Sequence, residues 1–398
     1  MRTVPALTDR TEAERWAEVR DEHALWGDLR PELLEAVRRI LDTTMEDELA
    51  AELVARPYER TVWRTDLRNG SYRRTLVTEL GAITDLRIPR RRLVPYRPSF
   101  LARAARRTSV VDDVLRQAFL RGLSTRETAA LAHTLTGVAL SAAAVSRLTR
   151  ALDSQVAAFH RRPIRFPARY LLLDGLWVSV RGATHATRRV VLAAYGIAAD
   201  GRRELLDYRQ AASESTAEWS RFLRSLVERG LAPDAVLLVT ADGADGIAAA
   251  VAEAFPEAGF QRCWTHRVRN LLDRVPLAER RAVLRGLRAI YRARTRRAAV
   301  HAYWRWARTW RAGHPGLVRA LERDLDELLA VFAVAAPLRA SLRSTNLLER
   351  AFRELRRRLR PIGALSDRRS ADRILYGQVL RLNDLLASRP LAAFTQES

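Results

Sequence analysis

The sequence predicts an α+β chain, with a mixed α/β sheet region flanked by helical segments. Three observations carry this. Between 170 and 264, apolar and β-branched runs alternate with helical runs as strand, strand, strand, helix, strand, helix, strand. Residues 10–55 and 109–158 place apolar side chains at helical spacing. From 266 to about 340 the pattern is helical throughout.

Taken in order, ELLEAVRRILDTTMEDELAAELVA puts Leu33, Leu34, Val37, Ile40 and Leu41 on an amphipathic helix. A small β-unit over 58–92 follows, with Arg68-Asn69-Gly70 as a turn signal and the alternating flanks TLVTEL and AITDLRI as strands. Three helices are predicted over 109–158. The first is Val110–Arg121, closed by Gly122. The second is Ser124–Leu135, with Ser124 and Glu127 at capping-box spacing, and Gly137 breaks it. The third runs from Ser141 through SAAAVSRLTRALDSQVAAF. Arg147 and Arg150 on that helix suit a helix-turn-helix against DNA; an ordinary helical hairpin has the same pattern. YLLLDGLWVSV (170–180), RRVVLAAYGIA (188–198) and RELLDYRQA (203–211) read as strands. TAEWSRFLRSLVERG (216–230) is a helix, AVLLVT (235–240) a buried strand, GIAAAVAEAFP (246–256) a helix and FQRCW (260–264) a short strand. A last helical region starts near Asn346.

Composition narrows the function. The 398 residues allow two or three domains, and 48% apolar residues allow a buried core. The 69 Lys+Arg residues are all arginine; against 46 acids they leave a net charge of +23. Arginine pairs with phosphate through a bidentate fork, so a polyanion, double-stranded DNA first, is the expected partner. A single cysteine excludes an internal disulfide and a multi-cysteine zinc cage. Neither a signal peptide nor a membrane-spanning apolar run is read, so a soluble intracellular protein without membrane partners is expected.

The candidate chemistry is acidic. Asp174 follows the strand YLLL and Asp242 the strand VLLVTA, and each precedes a glycine. Carboxylates at strand ends line the crevice of an α/β sheet, and acids from separate elements can hold hard divalent cations around a phosphate. Each aspartate could instead only start a turn. Glu349 lies on a helix beside the stripe Leu348, Phe352, Leu355 and Leu359, with Arg353, Arg356, Arg357 and Arg360 near it. Residues 343–373 hold ten arginines and four acids, 10 − 4 = +6. Glu349 could also serve a capping box with Asn346, or pair with Arg353. Tyr303, Trp306 and Trp310 share a helical face that suits core packing better than base stacking.

These stretches resemble the bacterial insertion-sequence transposases of the Mutator type. LLLDGLWVSVRG, FPEAGFQRCWTHRVRNLL and RSTNLLERAFRELRRRLRPIGALSD carry the likeness, with YERTVWRTDLRNGSYRRTL and RGLSTRETAALAHTLTGVALSAAAVSRLTRALD before them. The likeness spans roughly 55 to 385 with the motifs in order. It implies a DDE transposase with an RNase H-like catalytic core interrupted by an all-α insertion. Its triad falls on Asp174, Asp242 and Glu349, 68 and 107 residues apart, holding two Mg²⁺ ions that Mn²⁺ can replace. Asp245 is the competing second aspartate. Cys263 and His266 match the family's C-x-x-H signature and are read as structural or supporting residues.

The implied division is 1–108, helical with the small β-unit; 109–160, helix-turn-helix-like; 168–265, first part of the core; 266–342, the all-α insertion; and 343–390, the helices bearing the third carboxylate. The implied protein is a cytoplasmic, nucleoid-associated homodimer or higher oligomer. It would bind its element's terminal inverted repeats and target DNA. A catalytically inactive DNA-binding descendant is the alternative.

Overall fold

The computed structural model describes residues 22–101, 105–181, 186–359, 365 and 367–392. Two compact units divide the chain. One comprises the residues up to Phe119 with Leu123–Arg150; the other comprises Leu120–Gly122 and everything from Ala151 onward.

In the first unit, α1 (Glu22–Leu53) buries Met45, Leu49 and Leu53 against Leu76, Ile83, Leu86 and Ile88, with Leu34, Val37 and Leu41 packed at the margin. The inward stripe is therefore 34-37-41-45-49-53. Leu33 and Ile40 sit about 100° around the helix from their apolar neighbours and stay in solvent, Ile40 at 63% exposure. Residues 10–21 of the expected helix lie outside the described residues. Strands β1 (Arg68–Thr78) and β2 (Gly81–Arg91) form the small β-unit, antiparallel, with Thr78 paired to Gly81 across a Glu79-Leu80 turn. The expected turn at Arg68-Asn69-Gly70 is thus corrected: those residues begin β1. Gly70, at φ +67°, lies where the register shifts between Arg68 and Ser71, a bulge that uses its freedom at positive φ.

Three helices follow: α2 (Ser109–Leu120), α3 (Thr125–Thr136) and α4 (Ala142–Arg150). The capping box forms as read, with the Ser124 hydroxyl accepting from Glu127 N–H and the Glu127 carboxylate accepting from Ser124 N–H. Gly137 ends α3 in the left-handed region at φ +71°. The single third helix of the sequence reading is two: α4 stops at Arg150, and α5 (Leu152–Arg161) belongs to the second unit.

The second unit is built on a five-stranded mixed sheet: β3 (Ala168–Arg181), β4 (Ala186–Ala198), β5 (Arg203–Ala211), β6 (Leu238–Ala241) and β7 (Gly259–Arg262). Their order is β5-β4-β3-β6-β7; β4 runs antiparallel to both neighbours, while β3, β6 and β7 are parallel. Helices α6 (Thr216–Glu228) and α7 (Asp245–Ala254) bury Trp219, Phe222, Leu223, Ile247 and Val251 against Leu171, Leu173, Val190 and Leu192. The apolar runs read as strands are these central strands, buried because helices cover them.

After β7 come only helices until residue 342: α8 (Trp264–Leu272), α9 (Arg280–Tyr291), α10 (Arg296–Trp310), α11 (Pro315–Arg323), α12 (Leu325–Leu328) and α13 (Arg339–Leu342), with two short 3₁₀ turns before α13. They enclose their own core, including Leu271, Val283, Leu287, Tyr303, Trp306 and Leu321. Tyr303 and Trp306 are buried there, so this aromatic face packs the core, while Trp304 is half exposed. The chain then returns to the sheet through α14 (Asn346–Leu359), against β3, and α15 (Arg368–Ala387), against β5. Among the described residues, no helix is long and apolar enough to cross a membrane.

Candidate active site

The sheet places two acids and the helices bring the rest. Asp174 lies within β3, the central strand, with Leu173 and Leu176 fully buried on either side of the Asp174-Gly175 pair. Successive strand side chains point to opposite faces, so Asp174 faces away from the Leu171 and Leu173 core under α6 and α7. Its Oδ1 accepts the Gly175 N–H at 2.8 Å. Asp242 follows the last residue of β6 and accepts the Ala244 N–H at 3.1 Å, closing a tight turn before α7. The turn-forming role and a ligand role coexist, because one carboxylate has further lone pairs to offer. Asp245 is the first residue of α7; its side chain lies outside the described residues.

Glu349 is delivered by a set of buried ties. Thr240 in β6 donates to the Leu342 carbonyl at 2.6 Å, and Trp264 N–H donates to the Arg343 carbonyl at 3.1 Å. Thr345 N–H donates to the Cys263 sulfur at 3.4 Å, and Thr265 Oγ1 donates to Asn346 Oδ1 at 3.0 Å. These bonds pin residues 342–346 to the ends of β6 and β7. The buried stripe Leu348, Phe352 and Leu355 then fixes the rotation of α14, with Glu349 toward the sheet. Glu349 meets His266 one helix away, not Arg353 one turn along: His266 Nε2 lies 3.4 Å from Glu349 Oε1.

Asp174, His266 and Glu349 each turn one ligand atom into a common space, all within 4.8 Å of one another. Asp242 stands outside this tight group but close enough for its charge to act on Asp174. The electrostatics fit a crevice short of positive charge. Burial pushes the Asp174 carboxyl up from 3.8 to about 7, with the Asp242 and Glu349 charges adding and His266 opposing. His266 is raised to about 9, first through its contact with the Cys263 sulfur, then through the nearby carboxylates. That sulfur contact falls short of ordinary hydrogen-bond geometry, since His266 Nδ1 is buried with no hydrogen-bond partner. Burial pushes the Cys263 thiol up, but His266 outweighs it and the net is below the ordinary value. Glu349 Oε1 is also buried without a hydrogen-bond partner.

Cys263 is fully buried between β7 and α8, tied to Thr345, with its sulfur close to His266. His266, read from sequence as a supporting residue, stands inside the acid cluster itself. A C-x-x-H spacing across a strand-to-helix junction could have signalled this, because it sets the histidine one turn into the helix. Glu214, which the sequence reading did not single out, also lies half-buried at this end of the sheet. Burial and then the Asp242 charge raise its carboxyl, while the nearby Trp177 indole and His266 oppose them. Arg353, Arg356 and Arg357 are exposed along α14, Arg357 paired with Glu354 at 2.8 Å; Arg360 lies outside the described residues. In the other unit, Arg147 and Arg150 are exposed on α4, opposite the buried Val145 and Leu148.

Comparison with known proteins agrees in kind. The family model described as transposase, Mutator family, matches residues 8–385. The chain is 35% identical over 326 residues to the transposase for insertion sequence element ISRM5 of Rhizobium meliloti, covering 82% of this chain and 81% of that one. It is 35% identical over 353 residues to the transposase for IS406 of Burkholderia multivorans, covering 88% and 90%. The transposase for IS256 in transposon Tn4001 of Staphylococcus aureus is 27% identical over 350 residues, covering 87% and 88%. With residues 8–385 matched by the family model and relatives 35% identical over most of its length, the chain belongs to the Mutator family of transposases.

Proposed function

We propose that the protein is a DDE-type DNA transposase with an RNase H-like core, in which α8–α13 form an all-α insertion before the third carboxylate. It binds the terminal inverted repeats of its own element, cleaves there and transfers the freed strand to target DNA. The observation that supports this most is the meeting of Asp174 on the central strand with Glu349 from a distant helix, with Asp242, after the parallel neighbouring strand, near enough for its charge to act on Asp174. Two ends must meet for joining, so a homodimer or higher oligomer on DNA is part of the proposal.

The donor set fits a hard divalent cation. Two carboxylates and an imidazole from three elements converge, Glu349 Oε1 is buried without a hydrogen-bond partner, and burial holds the Asp174 carboxyl up at about 7. Asp174, Asp242 and Glu349 would hold two Mg²⁺ ions, or Mn²⁺ in their place. Bound there, the ions would supply Lewis-acid chemistry at the attacking and leaving oxygens. The protein's own part is positional. Asp174 loses its proton on loading and is oriented by the Gly175 N–H. His266, cationic at neutral pH, neutralises part of the acid charge and holds Glu349 in place. In the first step a water oxygen bonds to phosphorus and the 3′ oxygen leaves as a hydroxyl, giving a 5′ phosphate. In the second, that 3′ oxygen bonds to a target phosphorus and a target 3′ oxygen leaves. Arg353, Arg356, Arg357 and Arg360 on and beyond α14, with Arg147 and Arg150 on α4, supply phosphate contacts.

The test is nicking and joining of end-labelled element-end duplex by the purified chain with Mg²⁺. Asp174→Ala, Asp242→Ala and Glu349→Ala should each abolish both reactions and keep DNA binding. Full activity in any one removes that residue from the site. Binding without cleavage by the wild type would instead favour an inactive descendant.

A further inference from the structure

We propose that α9 is a docking surface for duplex DNA, which holds the phosphate backbone through Arg281, Arg285, Arg288 and Arg292 without reading sequence. The proposal rests on the reading of the chain as a DNA-acting enzyme and gives the helices between β7 and α14 a binding task of their own. Residues 280–311, which span α9 and α10, hold eleven arginines and no acid, 11 − 0 = +11 of the chain's net +23. The four arginines follow one another at intervals of four, three and four residues. At about 100° per residue they stay within roughly 60° of arc. All four are exposed. Val283, Leu287 and Ile290 point the opposite way and are fully buried. Gly286 lies on that inner side, where an added Cβ would overlap the Trp306 ring. Helix α9 therefore packs flush on α10, and its rotation is fixed with the arginines outward.

The stripe differs from other helical arginines in lacking acids. Arg39 pairs with Glu35 on α1 at 3.1 Å, and Arg221 pairs with Glu218 on α6 at 2.9 Å. Among the described residues, no acid pairs with any of the four on α9. Like charges three and four residues apart repel, so the helix itself gains nothing from the stripe. A polyanion reverses the sign of that interaction. Eleven residues at 1.5 Å each make the stripe about 16 Å long, the axial length of roughly five base pairs. The arginine fork suits phosphate, and phosphate contacts position a duplex without reading it. The other exposed side chains of α9, Ala282 and Ala289, offer base edges no hydrogen bond. The stripe is also tied to the crevice. Helix α8 leaves it at Trp264, two residues before His266, and α9 returns at Tyr291, whose ring centroid lies 5.3 Å from that of Trp264. The Arg343 guanidinium lies 5.0 Å from the Tyr291 centroid and donates to the Tyr291 carbonyl at 3.2 Å. Arg343 belongs to the segment that delivers Glu349, so Arg292 stands at the crevice end of the track and Arg281 at its far end.

The test measures binding of the full chain, in chelator, to element-end duplex and to an unrelated duplex of equal length across a salt series. One variant combines Arg281→Gln, Arg285→Gln, Arg288→Gln and Arg292→Gln. A control removes the same charge at Arg39, Arg202, Arg221 and Arg224, exposed arginines already paired with acids. The expected α9 variant binds both duplexes roughly tenfold or more weakly, with the slope of log affinity against log salt lower by about 3–4. It should melt no lower than wild type, and the control should bind as wild type does. Arg285→Gln and Arg288→Gln alone should each lower the slope by about 1, and lysine at all four positions should restore most of it. A slope in the α9 variant equal to the control's overturns the proposal, because net charge alone would then act. A loss confined to element-end duplex overturns the sequence-independent contact, and a loss of RNA affinity with both duplexes unaffected assigns the stripe to another polyanion. A wild-type chain that binds neither duplex overturns the DNA-acting reading itself.

Discussion

Replacing Asp174 with asparagine should kill the enzyme and stabilise the metal-free protein at the same time. Burial holds the Asp174 carboxyl up at about 7 instead of 3.8. Each pH unit of that displacement corresponds to about 1.4 kcal/mol, so forcing the side chain to ionise in the fold costs on the order of 4 kcal/mol above neutral pH. Asparagine keeps the Gly175 N–H bond and the volume but has no charge. It still loses water on burial, which reduces the expected gain to about 1–3 kcal/mol at pH 8. The sign follows from proton uptake. Between the unfolded value near 4 and the folded value near 7, the folded wild type holds a proton that the unfolded chain releases, so its stability from this group falls as pH rises through that window. At pH 5 Asp174 is protonated in the fold, and the difference between the two proteins should be about 2–3 kcal/mol smaller than at pH 8. Urea melts in chelator at pH 5, 6, 7 and 8, followed by tryptophan fluorescence, measure this. A variant no more stable than wild type at pH 8, or one whose advantage grows as pH falls, would refute the argument that burial and clustered acids set this group. Adding Mg²⁺ should narrow the gap at pH 8, because only the wild type gains binding energy.

The remaining predictions concern the sulfur and the arginines. Cys263→Ser should cut within about threefold of wild type and cost about 1 kcal/mol of stability, since a hydroxyl can still accept the Thr345 N–H; a folded but dead variant would make the thiol a participant. Arg147→Ala with Arg150→Ala should weaken element-end binding and lower the slope of log affinity against log salt by about 2, with melting unchanged. An unchanged slope would show that these exposed side chains meet no phosphate.

How much was legible depended on whether the cause was local. The strands at 170–180, 188–198 and 203–211 announced themselves because helices cover them and favour apolar runs such as YLLL, VVLAAYGIA and LL. The Ser124–Glu127 box closed as read because both partners lie within one turn. The hairpin turn was misplaced because Gly70 signals positive φ, and a bulge needs that as much as a turn does. Asp174 and Asp242 were visible as acids that end apolar runs, and Glu349 stood beside a stripe that had to face inward.

What the sequence determined by itself was the inventory: which runs form strands, which helices are amphipathic, which acids break apolar segments, and a charge suited to a polyanion. What only the tertiary structure decided was adjacency. Glu349 turned from Arg353 to His266 because bonds from Thr240, Trp264 and Thr345 to partners 79 to 102 positions away dock α14. The link holding Glu214 packs against Gly175 and Gly246, a close approach that no spacing along the chain records. Local patterns encode local conformation, but a site made from four distant segments exists only where packing closes the distances between them.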